Sequence, residues 1–137
     1  MAGNIRPSGD GYLVGTFTAA VAISRGQFVY LAADGMLDVA DQPRNPLIGV
    51  ALEDAAIGAA CTVVRGYCLA LAGAAIDVSN TVSEIVVDST ARAIPVGTTD
   101  FSSTSGFVAG QALADAAAGD LVPVYVYPVR SDKNYGA

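Results

Sequence analysis

The chain contains no histidine. The side chain whose unperturbed pKa suits proton transfer near neutral pH is therefore missing, and so is the commonest nitrogen ligand for metals. Ser-His-Asp triads and HExxH centres are excluded outright. Lysine occurs once, as Lys133 in the polar segment RSDKNYGA at 130–137, so a Ser-Lys mechanism would have to draw on that tail. No GxxxxGK[ST] loop, GxGxxG run or EF-hand spacing occurs. Two cysteines, Cys61 and Cys68, do not supply a closed zinc site. They stand seven apart on one expected strand, where an odd spacing sends side chains to opposite faces. That spacing argues against a disulfide between them and for two buried thiols packed as small apolar groups.

Charge is scarce as well. Only 15% of residues are charged and the formal net charge is -6, a balance that repels phosphate backbones, so nucleic acid is not expected as a partner. Hydrophobic residues make up 53% of the chain, yet no apolar run approaches the roughly 18 residues that would cross a bilayer. The opening MAGNIRPSGDGYLVG has no basic segment followed by an apolar one and a small-residue cleavage site, which predicts synthesis in a cytoplasm without export. No cofactor is expected. With 137 residues the default is one compact domain, assembled from two similar halves.

Residues 1–11 hold three glycines, a proline and an asparagine without apolar periodicity and read as an extended arm. Strand-like segments follow: YLVGTF at 12–17, QFVYLA at 27–32, LIGVAL at 47–52, CTVVRGYCLAL at 61–71, EIVVD at 84–88, RAIPV at 92–96, FVAGQAL at 107–113 and LVPVYVYPV at 121–129. ADGM at 33–36 carries the Asp-Gly pair of a tight hairpin turn, and Gly66 predicts a bulge or bend. Short strands separated by turn signals predict an all-β fold, a small β-sandwich or β-barrel.

One pattern occurs twice. GVALEDAAIG at 49–58 returns as GQALADAAAG at 110–119, with Gly49, Ala51, Leu52, Asp54, Ala55, Ala56 and Gly58 matched by Gly110, Ala112, Leu113, Asp115, Ala116, Ala117 and Gly119. Alanine favours helix, but a glycine four residues after each aspartate leaves room for about one turn. The expectation is a short one-turn helical corner, with Asp54 and Asp115 capping free N–H groups and Gly58 and Gly119 taking the left-handed exit. The repeat spans about 21–72 and 76–129, giving a single β domain over 12–129 between the arm and a polar tail at 130–137. Adjacent carboxylates such as Glu53 and Asp54, or Asp38 near Asp41, are the types that hydrolyse glycosides or hold a hard cation. Since Glu53 becomes Ala114 in the second copy while Asp54 stays as Asp115, turn building explains the pair better than catalysis.

In the last segment Val122, Val124 and Val126 fall on one face, and Leu121, Pro123, Tyr125 and Tyr127 on the other. Pro123 and Pro128 cannot donate ladder hydrogen bonds, which predicts an edge strand or one beside a bulge. The tyrosine face suits either a subunit interface or a two-sided core.

The stretches PLIGVALEDAAIGAACTVVRGYC at 46–68 and GFVAGQALADAAAGDLVPVYV at 106–126, with SRGQFVYLAADGML at 24–37, resemble the capsid decoration, or cement, proteins of tailed bacteriophages. The resemblance covers most of 11–127 and implies a small β-rich fold, commonly a homotrimer. It further implies a virion protein on the outer surface of an icosahedral head, tying neighbouring major capsid protein subunits together, with no enzyme activity. Ile5, Arg6, Pro7 and Tyr12 are then the candidates for capsid contact, and Pro123, Tyr125 and Tyr127 for the subunit interface. The alternative is a small β-barrel binding module that takes a carbohydrate or peptide through the Ser/Thr/Gly loop at 97–106.

Overall fold

The computed structural model describes residues 11–42, 44–79, 84–96 and 106–131. Nine strands fill these residues: β1 (Tyr12–Thr18), β2 (Phe28–Leu31), β3 (Leu37–Val39), β4 (Gly49–Ala51), β5 (Ala60–Leu71), β6 (Glu84–Val87), β7 (Ala93–Pro95), β8 (Gly106–Ala112) and β9 (Leu121–Ser131). They form one antiparallel sheet in the order β3-β2-β4-β5-β9-β8-β6-β7, with β1 on β5. The all-β class is as the alternation and turn residues predict. The hairpin between β2 and β3 turns at Asp34 and Gly35, where Asp34 Oδ1 accepts the Met36 N–H at 2.9 Å and Gly35 has φ 80°.

The two alanine-rich corners are not helical, and no helix occurs among the described residues. Their backbone groups are engaged elsewhere. Ala55 exchanges two hydrogen bonds with Ile23, and Ala116 exchanges two with Ile76, which holds both alanines extended. A tight turn follows each one, closed by Ala59 N–H to Ala56 O and by Asp120 N–H to Ala117 O, with Gly58 at φ 84° and Gly119 at φ 92°. A left-handed residue at the third position is what a type II turn requires. Asp54 and Asp115 do not cap helical N–H groups: Asp54 Oδ1 accepts from Arg25 N at 2.7 Å and Asp115 Oδ1 from Val78 N at 2.9 Å.

These bonds belong to a larger duplication of the pairing pattern. β2 pairs β3 and β4 as β6 pairs β7 and β8, and β1 pairs β5 as β5 pairs β9. β5 thus acts twice, its first half receiving β1 and its second half receiving β9. Each half also curls back on itself, through Ala19 beside Leu37 in the first and Ala72 beside Ala93 in the second. Gly66, at φ 75°, marks the change of partner; an added Cβ would stand 3.2 Å from Gly11 Cα.

The cores follow the same division. Ile23, Val29, Leu37, Cys61 and Val63 pack inside the first half, while Ile76, Ile85, Val87, Val122 and Val124 fill the second. Phe28, Val50 and Val64 lie on the other face of the first half and join the second core, which welds the halves together. Cys61 and Cys68 are both free and buried, one in each core. Burial pushes both thiols up, Cys61 with help from the Glu53 carboxylate, and Cys68 to about 12.

β9 meets the second of its two expectations, a place beside a bulge, and its first half is not an edge. Its first half lies between β5 and β8, and Pro128 falls opposite the register shift between Val108 and Gly110 of β8. Pro123 lies inside the sheet with its carbonyl accepting Leu113 N–H at 2.9 Å, at a position that needs no ladder N–H. In the first half the matching residue, Thr62, finds its N–H partner in a side chain, Glu53 Oε2 at 3.3 Å. The second half has lost donor and acceptor together, as Pro123 and Ala114.

Candidate interaction face

That exchange gives Glu53 a structural role in the first corner. Its carboxylate holds a backbone N–H in one corner and has no counterpart in the other. Asp54 is likewise engaged on Arg25. Among the described residues no group of three or more His, Cys, Asp or Glu side chains is placed to hold a metal ion, and no helix is long and apolar enough to cross a membrane.

What the sheet does present is an aromatic and aliphatic outer face on the second half. Directly opposed residues on neighbouring strands share a face. The row Tyr67, Tyr125, Gln111, Glu84 therefore runs across β5, β9, β8 and β6. Tyr125 sits at its centre, 39% exposed, with its ring centroid 4.6 Å from that of Tyr67 and 5.2 Å from that of Tyr127. Both pairs are tilted, at 40° and 43°, within the range of favourable aromatic contacts. Partial burial, then the Glu84 carboxylate and Tyr125, push the Tyr127 hydroxyl above its usual range and keep it a neutral donor.

Beside this row the opposed pairs Leu69 with Pro123 and Leu71 with Leu121 continue the apolar surface. The equivalent positions of the first half are Thr16 with Thr62 and Thr18 with Ala60. There Thr16 and Thr62 pair their hydroxyls at 3.3 Å. At these two pairs identical backbone pairing carries threonines and an alanine on one half and leucines and a proline on the other, so the fold does not dictate the larger apolar side chains.

Of the residues singled out from sequence, Pro123, Tyr125 and Tyr127 lie together on this face, Pro123 and Tyr127 half-buried. Tyr12 stands elsewhere, 58% exposed at the start of β1, with the Arg65 guanidinium 6.0 Å from its ring centroid. Ile5, Arg6 and Pro7 lie outside the described residues, as do 97–105 of the Ser/Thr/Gly loop and 132–137 of the tail. Tyr67, Leu69 and Gln111 were not among the sequence candidates. No local pattern singles them out; strand register alone sets them beside Tyr125 and Pro123.

The corner carboxylates are bonded to backbone, and the second half turns an apolar sheet face outward, the mark of an interaction surface. A family model described as phage cement protein matches residues 8–127, and the chain belongs to that family. It is a phage capsid-associated structural protein, from a family of virion components and not of enzymes. Among solved structures the fold is similar to the N base of head fiber gp8.5 of bacteriophage phi29, with a TM-score of 0.61 at 20% identity, covering 85% of this chain and 95% of that one. No curated protein matches the sequence.

Proposed function

We propose that the protein decorates the outer surface of an icosahedral phage head and stabilises it by bridging neighbouring major capsid protein subunits. The observation that carries this reading is the cement-family match over residues 8–127. The apolar face supports it, since a contiguous exposed apolar surface on a chain this rich in hydrophobic residues marks an interaction site. In this reading the protein acts as a homotrimer whose subunits meet through the face of Pro123, Tyr125 and Tyr127. Ile5, Arg6, Pro7 and the exposed Tyr12 contact the capsid. Residues 12–129 form one β domain of two similar units, which meet in β5.

The deciding experiment mixes purified protein with undecorated, expanded heads. Co-sedimentation at a fixed stoichiometry, with a rise in the melting temperature of the heads, is the expected result. Failure to bind overturns the proposal. Deleting residues 1–10 separates the contacts: head binding that survives the deletion removes Ile5, Arg6 and Pro7 from the capsid interface.

A further inference from the structure

The row Leu13, Val64, Val50, Phe28 of the first half, running across β1, β5, β4 and β2, is the structural equivalent of the row Tyr67, Tyr125, Gln111, Glu84. Phe28, Val50 and Val64 are buried because the second half packs over them. The second row has no such cover among the described residues, and Tyr125 and Gln111 are exposed.

The chain enters the described fold beside this open row. Along β5, Arg65, Tyr67, Leu69 and Leu71 are half-buried and alternate with buried Gly66, Cys68 and Ala70, so Arg65 lies on the tyrosine face, two residues before Tyr67. Gly11 sits against the same stretch: the carbonyl oxygens of Arg65 and Tyr67 stand where its Cβ would go. Residues 1–10 therefore join the fold at the β5 rim of the face.

Charges on that segment and on the face match in order. The face has Arg65 at its β5 rim and Glu84, the one charged member of the row, at its β6 rim. Three strand spacings, about 14 Å, separate β5 from β6. Residues 1–10 carry two charged side chains, Asp10 next to Gly11 and Arg6 four positions earlier. Four extended residues span about 13 Å. An arm that leaves Gly11 and crosses β9 and β8 toward β6 thus brings Asp10 to Arg65 and Arg6 to Glu84, with Pro7 passing over the tyrosines. Arg65 Nε is buried and finds no acceptor among the described residues.

We propose that in the free protein residues 1–10 fold back across the tyrosine face of their own chain, Asp10 paired with Arg65 and Arg6 with Glu84. Arg6 stacks its planar guanidinium on the tyrosine rings, which a lysine would do less well. Exposed ion pairs contribute little singly, so cover of the rings holds the arm and the two charges set its direction. Folded back, the arm closes the face to other subunits and is itself withheld from the capsid. Head binding then draws the arm off and uncovers the face; this consequence, unlike the docking itself, rests on the function proposed above.

The test uses the full chain carrying Asn4→Cys. Cys61 and Cys68 are buried, so a nitroxide label enters at residue 4 alone. Nuclear magnetic resonance of isotope-labelled protein should show the Gln111 and Glu84 amide signals broadened by the label and those of Thr16 and Thr62 sharp. Arg6→Glu should reduce the broadening about threefold or more, and Glu84→Arg added to it should restore it, each variant keeping the wild-type melting transition. A mixture of nitroxide-labelled chains without isotope and isotope-labelled chains without nitroxide should leave Gln111 sharp. Broadening in that mixture, a sharp Gln111 signal in the doubly labelled chain, or broadening that Arg6→Glu leaves unchanged each overturns the fold-back. Co-sedimentation with heads is measured separately, so either reading can fail while the other stands.

Discussion

Arg25 donates its backbone N–H to Asp54 Oδ1 at 2.7 Å, tying the loop before β2 to a corner 29 positions further along the chain. Val78 and Asp115 repeat this bond at 2.9 Å in the second half. A carboxylate that accepts a backbone N–H contributes about 1–2 kcal/mol, and exposure allows water to satisfy the N–H once the side chain is removed. Asp54→Ala and Asp115→Ala should each cost about 1 kcal/mol, a fall of about 3–5 °C in Tm. Asp54→Asn, which keeps an acceptor oxygen, should lose less than half of that. Thermal unfolding monitored by circular dichroism checks all three.

The Glu53 and Thr62 bond predicts a transplant. Pro123→Thr alone places a backbone N–H where the second corner offers no carboxylate, and Ala114→Glu alone adds an acceptor without a donor. Together they rebuild the first corner's bond in the second. A double-mutant cycle on unfolding free energies should return a favourable coupling of about 0.5–1 kcal/mol. Zero coupling would mean that the Glu53 contact, at 3.3 Å, adds nothing to stability.

Much of this architecture was legible in the chain because its signals are local. Alternation and turn residues place eight of the nine strands, and the ninth, β3, is signalled only by the Asp-Gly pair at 34–35 that turns the first hairpin. The corners were misjudged because helix propensity is weak against a competing partner. Ala55 and Ala116 spend their N–H and C=O groups on Ile23 and Ile76, contacts across more than thirty residues that no local pattern displays. In β9 the bulge expected from its prolines is present beside Pro128, while Pro123 argues for an edge only if its N–H would have had a ladder partner, and Thr62 shows that this position uses a side chain instead. The candidate face was half legible. Tyr125 and Tyr127 stand out by type, whereas Tyr67 and Gln111 join them only through strand register.

The turn glycines separate strain from overlap. Gly58 and Gly119 have φ of 84° and 92° and open space where a Cβ would go. Alanine at either site should cost only the left-handed backbone penalty, about 1–2 kcal/mol. Gly26, at φ 91°, faces Leu71 N and Leu121 Cδ2, each 2.9 Å from an added Cβ. Gly26→Ala should therefore carry an overpacking cost of about 1–3 kcal/mol on top of the strain. Chemical denaturation of the three variants should rank Gly26→Ala as clearly the least stable. Equal losses would refute the overlap.

Cys68 predicts a specific weakness toward alkali. Burial raises its thiol from an ordinary 9.0 to about 12, so the folded state holds this proton more tightly than the unfolded chain does. A group whose pKa rises on folding contributes its full stability below the unfolded value and loses it as pH climbs through the folded one. The loss should therefore begin near pH 9 and reach roughly 3–4 kcal/mol by pH 12. The raised Tyr30 and Tyr127 hydroxyls titrate in the same region, but they are common to wild type and Cys68→Ala and cancel in the difference between them. Cys68→Ala should start less stable at pH 7, because a buried sulfur is removed, and then lose stability more slowly above pH 9 until the two curves approach. Denaturant unfolding from pH 7 to 11 measures that convergence. Native protein should also leave Cys68 unreactive toward a disulfide reagent until it unfolds, since an access path to the thiol would undercut the buried environment that raises it.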